Sequence, residues 1–214
     1  MIKIKTFVFN HIEVNTYVIY DDKLLEAAIV DCGCLSTQEE EELFTFITDN
    51  QLQVKHLLNT HLHLDHAFGN AYASQAFHLK PEGHLLEETT LPGLKEQAVR
   101  FGISLKSEPV SFGTYLNDGD MIELGGITLQ SLHIPGHSPG GLAFYCQAGG
   151  CVFSGDALFQ GSIGRTDLWG GSLNALTNAI RSKLLTLPED TIVYPGHGAA
   201  TTIGNEKRHN MYLR

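Results

Sequence analysis

The chain is poor in the residues that would commit it to several common roles. It has only 14 lysines and arginines against 24 aspartates and glutamates, a net charge of −10. A nucleic-acid binder draws its affinity mainly from cations that neutralise phosphates, and an anionic membrane surface demands the same, so the deficit excludes both partners. No apolar run approaches the roughly 18 residues that would span a bilayer. Four cysteines in 214 residues do not make a disulfide framework. They read as small buried hydrophobes of a reducing compartment, with Cys146 and Cys151 placed to face each other across a hairpin. The opening residues, Met1 to Phe9, read as a strand rather than a secretory leader, so the expected location is cytoplasmic. With 43% hydrophobic and 18% charged residues, the chain is too apolar for disorder and holds enough to bury a core.

What it has in excess is histidine, 11 against a single tryptophan. Their placement follows the secondary structure. Strands are expected over Ile2–Phe9, Val14–Tyr20, Leu25–Val30 and Val54–Asn59, from their β-branched and aromatic content. A helix is expected after Ser36, with Glu39 completing a capping box. Further helices are expected over Ala67–Phe77, Leu94–Phe101 and Leu173–Leu185. A second set of strands is expected near Met121–Leu124, Ile127–Ile134, Leu142–Cys146, Cys151–Ser154 and Thr191–Tyr194. The order of elements implies two β-rich halves with helices outside.

Residues 61–66 read His-Leu-His-Leu-Asp-His. In an extended chain His61, His63 and Asp65 share a face, with Leu62 and Leu64 turned to the core, and a helix starting here would bring His66 round to the same place. Four ligand-type side chains in six residues suit a metal, since imidazole and carboxylate are both good zinc ligands. Three further candidates end later strands in glycine-rich turns: His137, Asp156 and His197. Five histidines and two aspartates suffice for two metals with one shared carboxylate.

This ordered set resembles the metallo-β-lactamase superfamily. The resemblance implies an α/β fold, an αββα sandwich of two similar halves, formed by one domain over residues 1–214 with the metal site at the edge between the two sheets. It further implies that His61, His63 and His137 hold a first metal, that Asp65, His66 and His197 hold a second, and that Asp156 bridges them. Two divalent ions are implied, zinc foremost, with iron and manganese as alternatives. Ser154–Phe159, Gly161–Leu168 and Thr201–Glu206 are similar to the glyoxalase II group of thioester hydrolases. Because few residues follow His197, the match is best to the short, single-domain glyoxalase-II-like proteins, without the C-terminal helical domain that holds glutathione in the longer ones.

The resemblance implies hydrolysis of a small-molecule thioester, of the S-(2-hydroxyacyl)glutathione type, by a hydroxide bridging the two metals. Asp65 is the candidate catalytic residue, binding the second metal and orienting the nucleophile. The alternative is a mononuclear iron persulfide dioxygenase, whose metal is held by the counterparts of His61, His137 and Asp156 and which shares the Gly164–Asp167 motif. Asp31 is expected to orient a ligand. Arg165 and Asp167 are expected either to brace a loop as an ion pair or to touch substrate. Tyr145, Trp169 and Tyr194 are expected to pack in the core or at its rim. His11, His56, His78, His84, His133 and His209 have no partner in sequence and are expected to be structural or exposed. A homo-oligomer is left open.

Overall fold

A computed structural model describes residues 1–214. Strands β1 (Ile2–Phe9), β2 (Val14–Asp21), β3 (Glu26–Val30), β4 (Gln53–Leu58), β5 (Pro81–Gly83) and β6 (Thr114–Tyr115) form one six-stranded sheet in that order. Strands β7 (Met121–Leu124), β8 (Ile127–His133), β9 (Leu142–Cys146) and β10 (Cys151–Gly155) belong to a second. A small hairpin, β11 (Leu158–Phe159) with β12 (Ser162–Ile163), stands apart. Strands β13 (Ile192–Pro195) and β14 (Thr201–Thr202) complete the second sheet, whose order is β14-β13-β10-β9-β8-β7.

The helices are α1 (Thr37–Asp49), α2 (Leu64–Ala67), α3 (Asn70–Phe77), α4 (Leu85–Thr90), α5 (Leu94–Phe101), α6 (Leu173–Ala179) and α7 (Ile203–His209). The first begins as the sequence predicts: Ser36 accepts from the Glu39 amide, and the Glu39 carboxylate returns to the Ser36 amide.

Three buried clusters define the layers, and the two-residue period of the strands sorts side chains among them. Tyr17, Ile19, Ala28, Val30 and Leu58 of the first sheet meet Leu142, Phe144, Cys151 and Phe153 of the second. The alternate residues Val18, Ala27, Ile29 and Leu57 face outward onto Leu43 and Ile47 of α1. On the far side Ala143, Val152 and Val193 pack against Leu176 of α6 and Ile203 of α7. The result is the αββα sandwich. Covered on both faces, β2 and β3 are buried almost throughout.

Several expected boundaries shift for identifiable reasons. Leu25 has a positive φ of 58°, so β3 starts at Glu26. The helix expected over Ala67–Phe77 is broken, because the Gly69 amide donates to the Cys32 carbonyl instead of continuing a helical ladder. A side chain on Gly69 would collide with the Cys32 and Cys34 sulfurs. The helix expected over Leu173–Leu185 becomes a π turn at Ile180–Leu184, closed by Leu185 N–H donating to the Ile180 carbonyl. Residues 78–113, divided by prolines, hold β5, α4 and α5. All four cysteines are buried and free, and Cys146 pairs with Cys151 in the β9–β10 register.

Topology sets the position of the candidate site. Strands β3 and β4 are parallel, so Asp31 and His61 leave the same edge of the first sheet. Strands β10 and β13 are parallel, and β8 runs with them across the antiparallel β9, so His137, Asp156 and His197 leave one edge of the second. The two edges are tied together at this end. Asn15 N–H donates to the Gly196 carbonyl at 2.7 Å, Leu142 N–H to the Thr60 carbonyl at 2.7 Å, and the Tyr17 hydroxyl to the Pro195 carbonyl at 2.6 Å.

Candidate metal centre

The seven residues singled out from the sequence converge at that edge in two groups. His61, His63 and His137 each present one ring nitrogen, and these lie within 4.8 Å of one another. Asp65, His66 and His197 form a second group on the same criterion. Asp156 lies between them, its carboxylate 3.6 Å from His137 Nε2, 3.3 Å from His66 Nε2 and 3.7 Å from His197 Nε2. The path into this cluster differs from the extended chain expected. His63 is the N-cap of α2, so Asp65 and His66 are already helical, and Leu62 is half-buried rather than part of the core.

The hydrogen bonds fix which nitrogen each histidine offers. Thr60 Oγ1 donates to Asp31 Oδ2 at 2.6 Å, so it can only accept from His61 Nδ1 at 3.0 Å. His66 Nδ1 donates to Asp31 Oδ2 at 2.9 Å. His137 Nδ1 donates to the Arg165 carbonyl at 2.8 Å, and His197 Nδ1 to the carbonyls of Ile12 and Glu13, both at 3.1 Å. All four therefore turn Nε2 inward. His63 points Nδ1 inward instead, 2.8 Å from His137 Nε2. Such partners on the outer nitrogen are the usual means by which a ligand histidine is oriented. Asp31 Oδ1 also accepts from the Thr60 amide at 2.7 Å, so three of these bonds converge on the one carboxylate, which with His61 and His66 forms a further group of possible metal-holding atoms.

The electrostatics of the two groups differ. Burial, reinforced by the neighbouring imidazoles, holds His61 well below the usual imidazole range and His63 at about 3. Burial also depresses His137. This group is three neutral imidazoles. In the second group burial opposes a charge on His66, but the carboxylates of Asp156, Asp65 and Asp31 outweigh it and hold His66 well above its ordinary value. His197 is likewise raised, the bond to Asp65 and the charge of Asp156 overcoming burial. Asp156 and Asp65 are both lowered despite burial, chiefly through His66. The carboxylates thus gather positive charge at this point.

The donor set fits metal ions. His66 Nε2 and Asp156 Oδ1, both turned into the cluster, are buried with no hydrogen-bond partner, which is costly unless another ligand satisfies them. Space is kept open by Gly196, where a Cβ would collide with Asp156 Oδ1 and His66 Cε1. A cavity of about 350 Å³ leads to the cluster, walled by Ile12, Leu64, Phe101, Ile103, Leu168 and Trp169.

Arg165 reaches the cluster through its backbone, and Asp167 reaches Arg165. They pair with each other through two bonds of 2.7 and 2.8 Å at an exposed position, and that pairing lowers Asp167 to about 2. It is the Arg165 carbonyl that holds His137. Trp169 stands at the cavity rim, 6.3 Å from His63 between ring centroids. Among the histidines set aside, His56 does have partners, Glu82 at 2.8 Å and the Glu123 carbonyl at 3.1 Å. His84 and His133 stack at 4.4 Å, and His11 lines the cavity mouth. Sequence reasoning missed Thr60, whose only signal is that it precedes His61, and it missed the carbonyls that orient His137 and His197.

The chain matches the metallo-beta-lactamase superfamily over residues 11–197. It is 40% identical over 200 residues to the hydroxyacylglutathione hydrolase GloC of Haemophilus influenzae, covering 93% of this chain and 92% of that protein. Among solved structures it superposes on the BLEG-1 B3 metallo-beta-lactamase with a TM-score of 0.87 and 36% identity, covering 99% of both chains. It superposes on TTHA1623, determined in a di-iron-bound form, with a TM-score of 0.84 and 34% identity, covering 98% of this chain and 100% of that one. Fold, ordered site residues and these likenesses agree, and the chain belongs to the metallo-β-lactamase superfamily.

Proposed function

We propose that the protein is a binuclear metal-dependent thioester hydrolase acting on S-(2-hydroxyacyl)glutathione-type substrates in the cytoplasm. The observation that carries this reading is the pair of ligand groups meeting at Asp156 and facing a cavity of about 350 Å³. His61, His63 and His137 would hold one ion, Asp65, His66 and His197 the other, and Asp156 both. Bound there, divalent ions such as zinc, iron or manganese supply Lewis acidity and bring the pKa of water to about 7.

The protein's own groups do the rest. Asp65 Oδ2 and His197 Nε2, 3.1 Å apart, would both face the second ion, leaving the other Asp65 oxygen to accept a hydrogen bond from the attacking water and so orient it. Asp156 offsets the repulsion between two cations. The apolar wall of Ile12, Phe101, Ile103, Leu168 and Trp169 sheds water around the acyl group. A thiolate leaves without a strong general acid, because thiols ionise near 8.5. The relative of 40% identity named as a hydroxyacylglutathione hydrolase supports this substrate class. The four buried free thiols accord with a reducing compartment.

Hydrolysis of S-lactoylglutathione under argon, with metal content measured on the same sample, tests the reading. Oxygen-independent thiol release with two metals per chain is expected. One iron per chain with oxygen-dependent turnover of a persulfide would replace the proposal with the dioxygenase chemistry.

A further inference from the structure

Glu87, in the first turn of α4, is only 1% exposed and has no lysine, arginine or histidine within 4.0 Å. A carboxylate so placed is unfavourable unless strong hydrogen bonds compensate. Its two oxygens reach two different segments. Oε2 accepts from the Leu62 amide at 2.8 Å, and Oε1 accepts from the Gly140 amide at 2.6 Å. Leu62 lies between His61 and His63. Gly140 ends the turn that carries His137. One carboxylate therefore spans the two segments that supply all three imidazoles of the first group.

Two further features fit this arrangement. Gly140 packs tightly on Glu87, since a Cβ there would lie 3.0 Å from Glu87 Cγ and from its backbone nitrogen. The Leu62 peptide is also held from its other side. Gln97 of α5, 1% exposed, donates through Nε2 to the Leu62 carbonyl and the Pro92 carbonyl, each at 2.9 Å. The Leu62 main chain is thus gripped at its N–H by α4 and at its C=O by α5.

We propose that Glu87 is a positioning residue which sets the spacing between the His61–His63 segment and the His137 turn, and so prepares the three-histidine site before any metal arrives. This rests on the metal-ligand assignment above. Glu87 touches neither the cavity nor a ligand side chain, so its effect passes through two backbone amides. Glu87→Gln keeps the shape but replaces one acceptor by an NH₂ donor facing an N–H, which breaks one of the two grips while adding no bulk.

The test is metal affinity, read by chelator competition with zinc, on folded wild type and Glu87→Gln, with the unfolding midpoint of both metal-free proteins recorded. The expected result is a rise of about 10- to 100-fold in the zinc dissociation constant of the first site, the range for partners that orient ligands. Equal zinc affinity in the two folded proteins overturns the inference. Failure of the wild type to bind zinc would instead remove the functional reading beneath it. Should Glu87→Gln not fold, amide hydrogen exchange of the metal-free wild type decides: slow exchange at Leu62 and Gly140 supports a preformed grip, and exchange at the rate of an open loop refutes it.

Discussion

Asp31 offers the sharpest test of how the site is built, because replacing it by asparagine reverses hydrogen bonds without removing atoms. Asp31 has a positive φ of 52°, a region that asparagine tolerates as well as aspartate, so the backbone should not move. The Asn oxygen can still accept from the Thr60 amide, as Oδ1 does at 2.7 Å. The other position now carries two protons where Oδ2 accepted from Thr60 Oγ1 and from His66 Nδ1. Thr60 Oγ1 must accept there and turn its own proton toward His61 Nδ1. His66 Nδ1 must accept as well. Both imidazoles are forced to carry their proton on Nε2, the nitrogen each would offer a metal.

Each reoriented ligand should weaken metal binding by about 10- to 100-fold, and His61 and His66 belong to different groups, so both ions are affected. Stability should change far less. Two bonds to a charged acceptor become bonds between neutral groups, a difference of about 1 kcal/mol each. Chelator competition for zinc and a denaturant midpoint on Asp31→Asn separate the two effects, and nitrogen-15 NMR of the histidines reads the tautomers directly. A variant that binds both ions as tightly as wild type, or keeps the proton of the neutral His61 on Nδ1, refutes the relay.

Asp156→Asn should lose metal and activity together, since the carboxylate lies within 3.7 Å of histidines from both groups; elemental analysis beside a rate assay checks this. Asp65→Asn should keep the metal held by His61, His63, His137 and Asp156 yet lose about 10²- to 10⁴-fold in kcat, which full activity would contradict. His56, half-buried between Glu82 and the Glu123 carbonyl, has its pKa raised, first by the bond to Glu82 against the opposing effect of burial. A raised value means that its stabilisation is complete below the unfolded value near 6.5 and is lost as pH climbs through the higher folded one. Denaturant midpoints of wild type and His56→Gln should therefore converge as pH rises above about 6.5, and a constant gap would show that the pair is not titrating.

Much of this was legible along the chain because the information is local. Histidines at positions 61, 63 and 66, and glycine-flanked His137, Asp156 and His197, announce donor chemistry by residue type alone, and each follows a strand that its own composition marks. The layers were legible too. Alternation in β9 and β10 separates Phe144 and Phe153, which face the other sheet, from Ala143 and Val152, which face the helices. The helix breaks were not. Nothing in Ala67–Phe77 predicts that the Gly69 amide will leave the helical ladder for the carbonyl of Cys32, because that carbonyl arrives from the loop after β3, far back in the chain.

The same limit separates a list of ligands from a working site. A residue type says that a side chain can bind metal; it does not say which nitrogen faces inward, and in this fold that is decided by groups remote in sequence. His197 is turned by the carbonyls of Ile12 and Glu13, His137 by that of Arg165, and His66 by Asp31. Three of these four partners are backbone carbonyls, so they leave no trace in the choice of side chain. Arg165 illustrates the consequence. Its guanidinium suggested either a brace or a substrate contact, and it pairs with Asp167 beside the cavity, but the atom that holds His137 is a carbonyl oxygen any residue would carry. Through that oxygen, 2.8 Å from His137, replacing Arg165 or Asp167 should act on the metal ligands only as far as the turn relaxes when their exposed pair is broken.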